Sequence, residues 1–398
     1  VTASNPRPLE EFEFRGGPRL VVGPGSLGRL GALARELGAG RALVTSDPGI
    51  VDAGHAAAGI EALEDAGLAT RLFSGFGENP SSEQIEAGAA VAREFRPDLL
   101  VGLGGGSSMD CAKGINFVHS CGGRIHDYWG VGKASKPMLP LIAVPTTAGT
   151  GSESQSFALI SDAVTHAKMA CGDPKAAARV ALLDPLLTLS QPPRVTALTG
   201  IDALTHAIES FVCQKRSPIS QLFAKEAWRH LRYGLPQVLS DPQSVDGRFC
   251  MQWGAALAGM AIEASMLGAA HALANPLTAH HGIAHGQAVG VMMPHVIQWN
   301  ARQVASWYQE LWNTVEPPLQ MTQPHKPESD ANVAARKMSD WFGEMLQAGG
   351  LHQRLAALAI PENDLEVLAS QAAQQWTAKY NPVEVHADDL IQIYRRAL

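Results

Sequence analysis

The sequence predicts an α/β N-terminal domain built on an open, mostly parallel sheet, followed by an all-α C-terminal domain. Two observations carry this. In the first half, short β-branched or Leu-rich runs alternate with longer Ala-rich stretches of helical period, the pattern of βαβ units. From Pro193 onward the strand signals stop, and Ala, Leu, Gln and Glu recur at helical spacing almost to Leu398. The size permits both domains: 398 residues, 46% apolar and 17% charged, suffice for two cores and exclude disorder as the main description.

Taken in order, strands are expected at 20–22, 42–45, 70–73, 99–103 and 141–144, with helices near 27–37, 51–66, 82–95 and 109–119. Parallel strands joined by crossover helices satisfy that order most economically. The change of character falls at 184–193, a segment with three prolines, so the chain divides into a nucleotide-binding domain over 1–190 and a helical domain over 191–398. Residues 316–330, with four prolines, read as an exposed loop within the helical half. The longest apolar stretch, 253–277, carries Glu263, His271 and Asn275 and is rich in Gly and Ala, so it reads as a buried helix rather than a membrane span. No internal repeat is visible.

Composition removes several classes of function. The 31 basic and 38 acidic residues give a net charge of -7 with no Lys/Arg run to track a phosphate backbone, which argues against a nucleic-acid partner. Residues 1–14 hold prolines and acids where a signal peptide needs a charged start and an apolar run, so a cytoplasmic location is expected. Five cysteines, scattered and without C-x-x-C spacing, argue against disulfides and against a thiolate metal site. A bound metal must then use His and carboxylate ligands.

Residues 99–110, LLVGLGGGSSMD, are a buried strand running through glycines into a helix. Glycines let a diphosphate approach the backbone, and the free N–H groups and dipole of a helix N-terminus attract its charge. A tight turn capped by Ser107 or Ser108 is the plainer alternative. The turn follows roughly the fourth strand, whereas the standard Rossmann arrangement puts it after the first. A second polar-glycine segment, VPTTAGTGSE at 144–153, also leaves a strand end, and two loops outside the carboxyl ends of one sheet can share a ligand. Asp47, just beyond the strand at 42–45, suits a ribose 2′-hydroxyl and repels a 2′-phosphate, which favours NAD over NADP; Asp47-Pro48-Gly49 is equally a common turn.

In the helical half, Asp202 and His206 stand four apart, on one helix face and one turn from each other. Alone the pair is most simply a surface hydrogen bond. His271 and His285, however, sit in Ala- and Gly-rich sequence where an unpaired polar group is costly, and several such histidines beside an Asp–His pair favour a metal. His280, His281 and His295 compete for the same roles, and spacing does not choose among them. One carboxylate and three imidazoles suit Fe²⁺ or Zn²⁺, with Mn²⁺ less suited.

These residues resemble the iron-containing, or group III, alcohol dehydrogenase family, whose fold is similar to that of dehydroquinate synthase. The likeness spans most of the chain and is densest in GGGSSMDCAKG at 104–114, PTTAGTGSES at 145–154, the segment 183–210 around TGIDALTHAIES, and HGQAVGVMMPHV at 285–296. The resemblance implies metal ligands Asp202, His206, His271 and His285. It implies NAD(P) between the domains against Asp47, Gly105, Gly106, Ser107, Asp110, Thr146, Thr147, Thr150 and Lys168, and a homodimer. One departure stands out: where many members carry a second histidine four residues after the third ligand, proposed to help proton transfer, this chain has Asn275, which neither gains nor loses a proton near neutral pH. Asn275 is therefore a substrate-side candidate, and the metal carries the main catalysis.

The expected function is hydride transfer between NAD(P)(H) and a small alcohol or aldehyde, with the metal as Lewis acid. The alternative on the same fold is a dehydroquinate synthase-like lyase or cyclase using NAD and a metal. It requires Lys and Arg near the ligands to hold phosphate and carboxylate, and residues 253–300 have none. A protein that merely senses nucleotide or metal is the non-enzymatic reading.

Overall fold

The computed structural model describes residues 12–165, 167–314 and 327–398. The N-terminal half opens with β1 (Arg19–Val22), α1 (Leu30–Glu36), β2 (Arg41–Thr45), α2 (Pro48–Asp52), α3 (His55–Asp65), β3 (Ala69–Phe73), α4 (Ser82–Phe95), β4 (Leu99–Gly104) and α5 (Gly106–Cys121). It continues through β5 (Gly130–Val131), β6 (Leu141–Pro145), β7 (Phe157–Ser161), β8 (Lys168–Gly172) and β9 (Val180–Leu183). Six strands form a parallel sheet in the order β1-β9-β6-β4-β2-β3.

Alternate residues of these strands face opposite layers, as the pleat requires. Ala42 and Val44 of β2 join a core with Leu30, Leu33 and Leu63 of α1 and α3. Leu43 between them joins Ile85, Met109 and Ile115 of α4 and α5 on the other side. With both faces covered, β4 is buried at every position, so it reads in sequence as one continuous apolar run.

Every strand expected from sequence is present, but four were missed. β9 completes the main sheet between β1 and β6, and β5, β8 and β7 make a smaller sheet in which β7 and β8 run antiparallel. β5 has only two residues, and among the described residues no α-helix lies between β6 and β9, so the alternation of strand with helix that marks the other strands is absent there. The helix expected at 51–66 is two, α2 and α3, separated at Gly54, whose φ of 82° ends one and starts the other. The helix expected from 109 begins earlier, because the glycine turn leads directly into it.

The helical half comprises α6 (Pro193–Val212), α7 (Pro218–Ser240), α8 (Val245–Glu263), α9 (Ala269–His281), α10 (His285–Trp312), α11 (Ala331–Ala348), α12 (Leu365–Gln374) and α13 (Ala387–Ala397). The single buried helix expected over 253–277 is a correction: α8 ends at Glu263 and α9 starts at Ala269. Ser265 folds its hydroxyl back on the Ala261 carbonyl at 2.6 Å, and Gly268 caps α9 in a conformation no helix adopts. No described helix is long and apolar enough to cross a membrane. Residues 1–11 of the N-terminal stretch and 315–326 of the expected proline-rich loop lie outside the described residues. At the centre, α6 is buried continuously from Gly200 to Val212.

Candidate active site

The chain passes outward from β2 to β3 and inward from β4 to β6, so the strand order reverses between β2 and β4. Ligands of open α/β sheets lie outside the carboxyl ends of the strands at such a reversal. Asp47, the glycine turn and the threonine loop follow β2, β4 and β6 directly and meet there. This explains why the turn follows the fourth strand: β4, not β1, flanks the reversal.

Gly104 has φ of 150°, and a Cβ there would collide with the Ser108 side chain. Gly105 caps α5 without any side-chain hydrogen bond, so neither Ser107 nor Ser108 is the cap, and the first N–H groups of α5 stay open to an anion. A Cβ on Gly105 would lie 3.4 Å from Thr147, and one on Gly106 would lie 2.8 Å from Thr150. The two loops thus face each other closely, and a side chain at Gly106 would have to displace that of Thr150. Thr146 in the same loop has a buried hydroxyl with no partner.

The remaining cofactor candidates are placed unequally. Asp47 Oδ1 accepts from the Ile50 N–H at 3.3 Å and Oδ2 from the Ser108 hydroxyl at 3.1 Å, which fixes the carboxylate beside the glycine turn. Ser107 Oγ accepts from the Asn79 N–H at 3.2 Å. Asp110 has both oxygens committed to protein, Oδ1 to the Ser152 hydroxyl at 2.7 Å and Oδ2 to the Leu159 N–H at 3.2 Å. Its contribution is to hold the threonine loop against α5. Lys168 opens β8, and its ammonium interacts electrostatically with Asp110 and Asp202.

Sequence reasoning missed Lys113. It is fully buried on α5 and donates to the Ser152 carbonyl and hydroxyl at 2.7 and 2.8 Å and to the Phe157 carbonyl at 2.8 Å. With Asp110 it clamps the loop. A lysine two turns into a helix after a glycine turn carries no signal of such burial.

The second half of the site is a cluster around one oxygen. Asp202 Oδ1 lies 3.4 Å from His206 Nε2, 3.5 Å from His271 Nε2 and 3.7 Å from His285 Nε2. Asp202, His271 and His285 offer ligand atoms all within 4.8 Å of one another, and His206 stacks on His271 with ring centroids 4.8 Å apart. The Asp202–His206 pair comes from successive turns of α6. His271 is the third residue of α9 and His285 the first of α10, so three helices converge.

The outer ring nitrogens set the tautomers. His206 Nδ1 stands 3.3 Å from the Gly149 carbonyl of the threonine loop, and His271 Nδ1 stands 2.6 Å from Glu209 Oε2. A protein carbonyl only accepts, so the His206 proton is on Nδ1 and its Nε2 lone pair faces Asp202.

This arrangement fits a cation. Asp202 Oδ1 and His271 Nε2 are buried without a hydrogen-bond partner, although such groups are ordinarily paired. Atoms that share one ion through bonds of about 2.1 Å stand roughly 3–3.5 Å apart, close to the 3.4, 3.5 and 3.7 Å found around Asp202. Burial opposes ionisation of Asp202, but His206, His271 and His285 outweigh it and hold the carboxyl below the usual range. Burial lowers His206 and His285 toward the neutral, ligating form. His271 is also pushed down by burial, yet Asp202 and Glu209 together raise it to about 9. Two buried carboxylates there demand a positive charge.

The competing histidines lie elsewhere. His280 Nε2 meets Gln371 Oε1 at 2.6 Å, and His281 Nε2 lies 3.4 Å from Asp364. His295 falls to about 4, through burial and then Arg396 and Arg354. Asn275, one turn beyond His271 on α9, donates its Nδ2 to Gln375 Oε1 at 3.0 Å. Glu209 was not identified from sequence, though it stands seven residues after Asp202 and hence on the same face of α6.

A glycine turn and a threonine loop at the sheet reversal, beside a His/Asp cluster that fits a cation, are the parts that a metal-dependent, nucleotide-linked oxidoreductase requires. Comparison with known proteins agrees: the profile described as iron-containing alcohol dehydrogenase matches residues 17–185, and that of the C-terminal domain of the same family matches 196–398. The chain belongs to the iron-containing alcohol dehydrogenase family. It is 31% identical over 381 residues to the NAD-dependent methanol dehydrogenase of Bacillus methanolicus, covering 96% of this chain and 98% of that protein. The structure superposes on that of a 1,3-propanediol oxidoreductase with TM-score 0.91 at 28% identity, over 98% of this chain and 100% of the other. Sulfoacetaldehyde reductase from Bifidobacterium kashiwanohense, solved in complex with NAD⁺, superposes with TM-score 0.85 at 27% identity, over 98% and 99%. The protein is thus an oxidoreductase that moves hydride between a nicotinamide cofactor and a small alcohol or aldehyde. These relatives give the lyase alternative no support.

Proposed function

We propose that the protein is an NAD-preferring alcohol dehydrogenase whose cation, Fe²⁺ with Zn²⁺ able to replace it, is held by Asp202, His206, His271 and His285. The single observation that carries this reading is the convergence of three Nε2 atoms on one unpartnered, buried Asp202 oxygen. When bound, the cation supplies Lewis acidity toward the substrate oxygen, and the nicotinamide supplies or accepts the hydride. Gly105, Gly106, Ser107 and the open N-terminus of α5 bind the diphosphate, with Thr146, Thr147 and Thr150 opposite and Lys168 at the cleft. Asp110 orients the threonine loop, and through the Gly149 carbonyl that loop orients His206. Cofactor seating and cation site are therefore mechanically linked.

Asp47, fixed at the end of β2, meets the ribose hydroxyls, and a 2′-phosphate would face its negative charge. Asn275 lines the substrate side, where its amide hydrogen-bonds without exchanging a proton. Domains meeting near 190 enclose the reaction and exclude water. Unpaired Cys111, Cys121, Cys171, Cys213 and Cys250 support a reducing, cytoplasmic setting, and a homodimer follows the family resemblance. The test is turnover of NADH and NADPH with C2 to C6 aldehydes by Fe²⁺- and Zn²⁺-loaded protein, beside His271→Ala. That variant is expected to lose bound metal and activity together while its circular dichroism is kept; full metal occupancy in it contradicts the ligand set.

A further inference from the structure

Resting on the reading of the Asp202 cluster as a metal site, we propose that Glu209 is a positioning residue that holds His271 as the Nδ1–H tautomer and so turns its Nε2 lone pair to the cation. Glu209 is 2% exposed, and its Oε2 lies 2.6 Å from His271 Nδ1. A carboxylate at that distance accepts the Nδ1 proton, and an imidazole that spends its proton there presents a bare Nε2 on the opposite edge of the ring. That edge faces Asp202 Oδ1 at 3.5 Å.

The other carboxylate oxygen makes the placement rigid. Glu209 Oε1 accepts the Ala270 N–H at 2.7 Å, one of the open donors at the start of α9, immediately before the ligand. The neighbouring Ala269 N–H goes to Asn381 Oδ1 at 3.2 Å, and Asn381 is itself held by Asn300 Oδ1 at 2.8 Å and the Val383 carbonyl at 2.7 Å. A Cβ on Gly268 would lie 3.1 Å from both Glu209 Oε1 and Asn381 Oδ1, so a glycine there leaves room for both acceptors. Position and rotation of His271 are thus both set by buried acceptors outside the ligand set.

The experiment measures Zn²⁺ affinity by chelator competition in the full-length parent and in Glu209→Gln, which keeps the shape and removes the charge. Glu209→Gln is expected to bind about 10- to 100-fold more weakly, with the unfolding midpoint of the chelated protein reporting folding separately. Affinity within twofold of the parent, in a folded variant, overturns the inference and leaves the metal site intact; a parent that does not bind Zn²⁺ overturns the site itself. If the variant does not fold, ¹⁵N-histidine spectra of the Zn²⁺-loaded parent decide. Protonation of His271 at Nδ1 supports the assignment, and protonation at Nε2 overturns it.

Discussion

Asp47 shows how much one carboxylate can decide. Its oxygens are tied to the Ile50 N–H and the Ser108 hydroxyl, yet a carboxylate has about four acceptor positions, so both bonds leave capacity for a ribose hydroxyl. Those bonds hold it still, so in the proposed reading a 2′-phosphate would meet a fixed negative charge. Asp47→Ala is expected to raise the ratio of NADPH to NADH efficiency by roughly tenfold or more, equal to about 1.4 kcal/mol of lost repulsion. Steady-state kinetics with both cofactors check this, and an unchanged ratio removes Asp47 from cofactor choice. At the same scale, Asn275 spends its amide on Gln375 and offers no titrating group one turn beyond His271.

Among elements, the loop between β6 and β7 bears the tightest constraint. Gly151 has φ of 63°, and a Cβ there would stand 2.6 Å from Gly259 Cα and 2.9 Å from the Ala255 carbonyl, both backbone atoms of α8. Gln252 of α8 donates to the Pro145 carbonyl at 2.9 Å, and Glu263 at its end accepts from Ser156 at 2.6 and 3.1 Å. The loop is thus pinned to the helical half along the length of α8. Gly151→Ala adds positive-φ strain to a backbone collision and is expected to cost about 2–4 kcal/mol of stability. Denaturant unfolding measures it, and a loss under about 0.5 kcal/mol would show that the two elements separate freely. The glycine motif was legible in sequence because turns demand glycine locally. The reason for Gly151 was not, since Gly259 lies over a hundred residues away.

For the molecule as a whole, buried charge sets a pH dependence. Glu153, 3% exposed in the loop between β6 and β7, is raised by burial to about 7, only partly countered by its backbone hydrogen bond and Lys113. A carboxyl raised in the folded state binds more protons folded than unfolded between its ordinary value near 4.5 and about 7. Its contribution to stability therefore falls as pH rises through that window and is flat above it. Relative to the parent, Glu153→Gln is expected to gain on the order of 2–3 kcal/mol between pH 4.5 and 7. Equilibrium unfolding at several pH values checks the sign, and parallel curves for the two proteins contradict it.

The domain types, the glycine and threonine loops and the Asp202–His206 pair were readable directly, because period, turn chemistry and i, i+4 spacing are local properties of a chain. β5, of two residues, shows no period, and β7, β8 and β9 escaped because among the described residues no α-helix lies between β6 and β9 to give the strand–helix alternation that marks the other strands. What no spacing reveals is that His271 and His285, each at a helix start, face Asp202 while His280, His281 and His295 turn elsewhere. Packing of α6, α9 and α10 chose among them. Burial of Glu209 and Lys113 was likewise hidden, since a charged side chain is written identically whether it meets water or a core, and only long-range contacts distinguish the two.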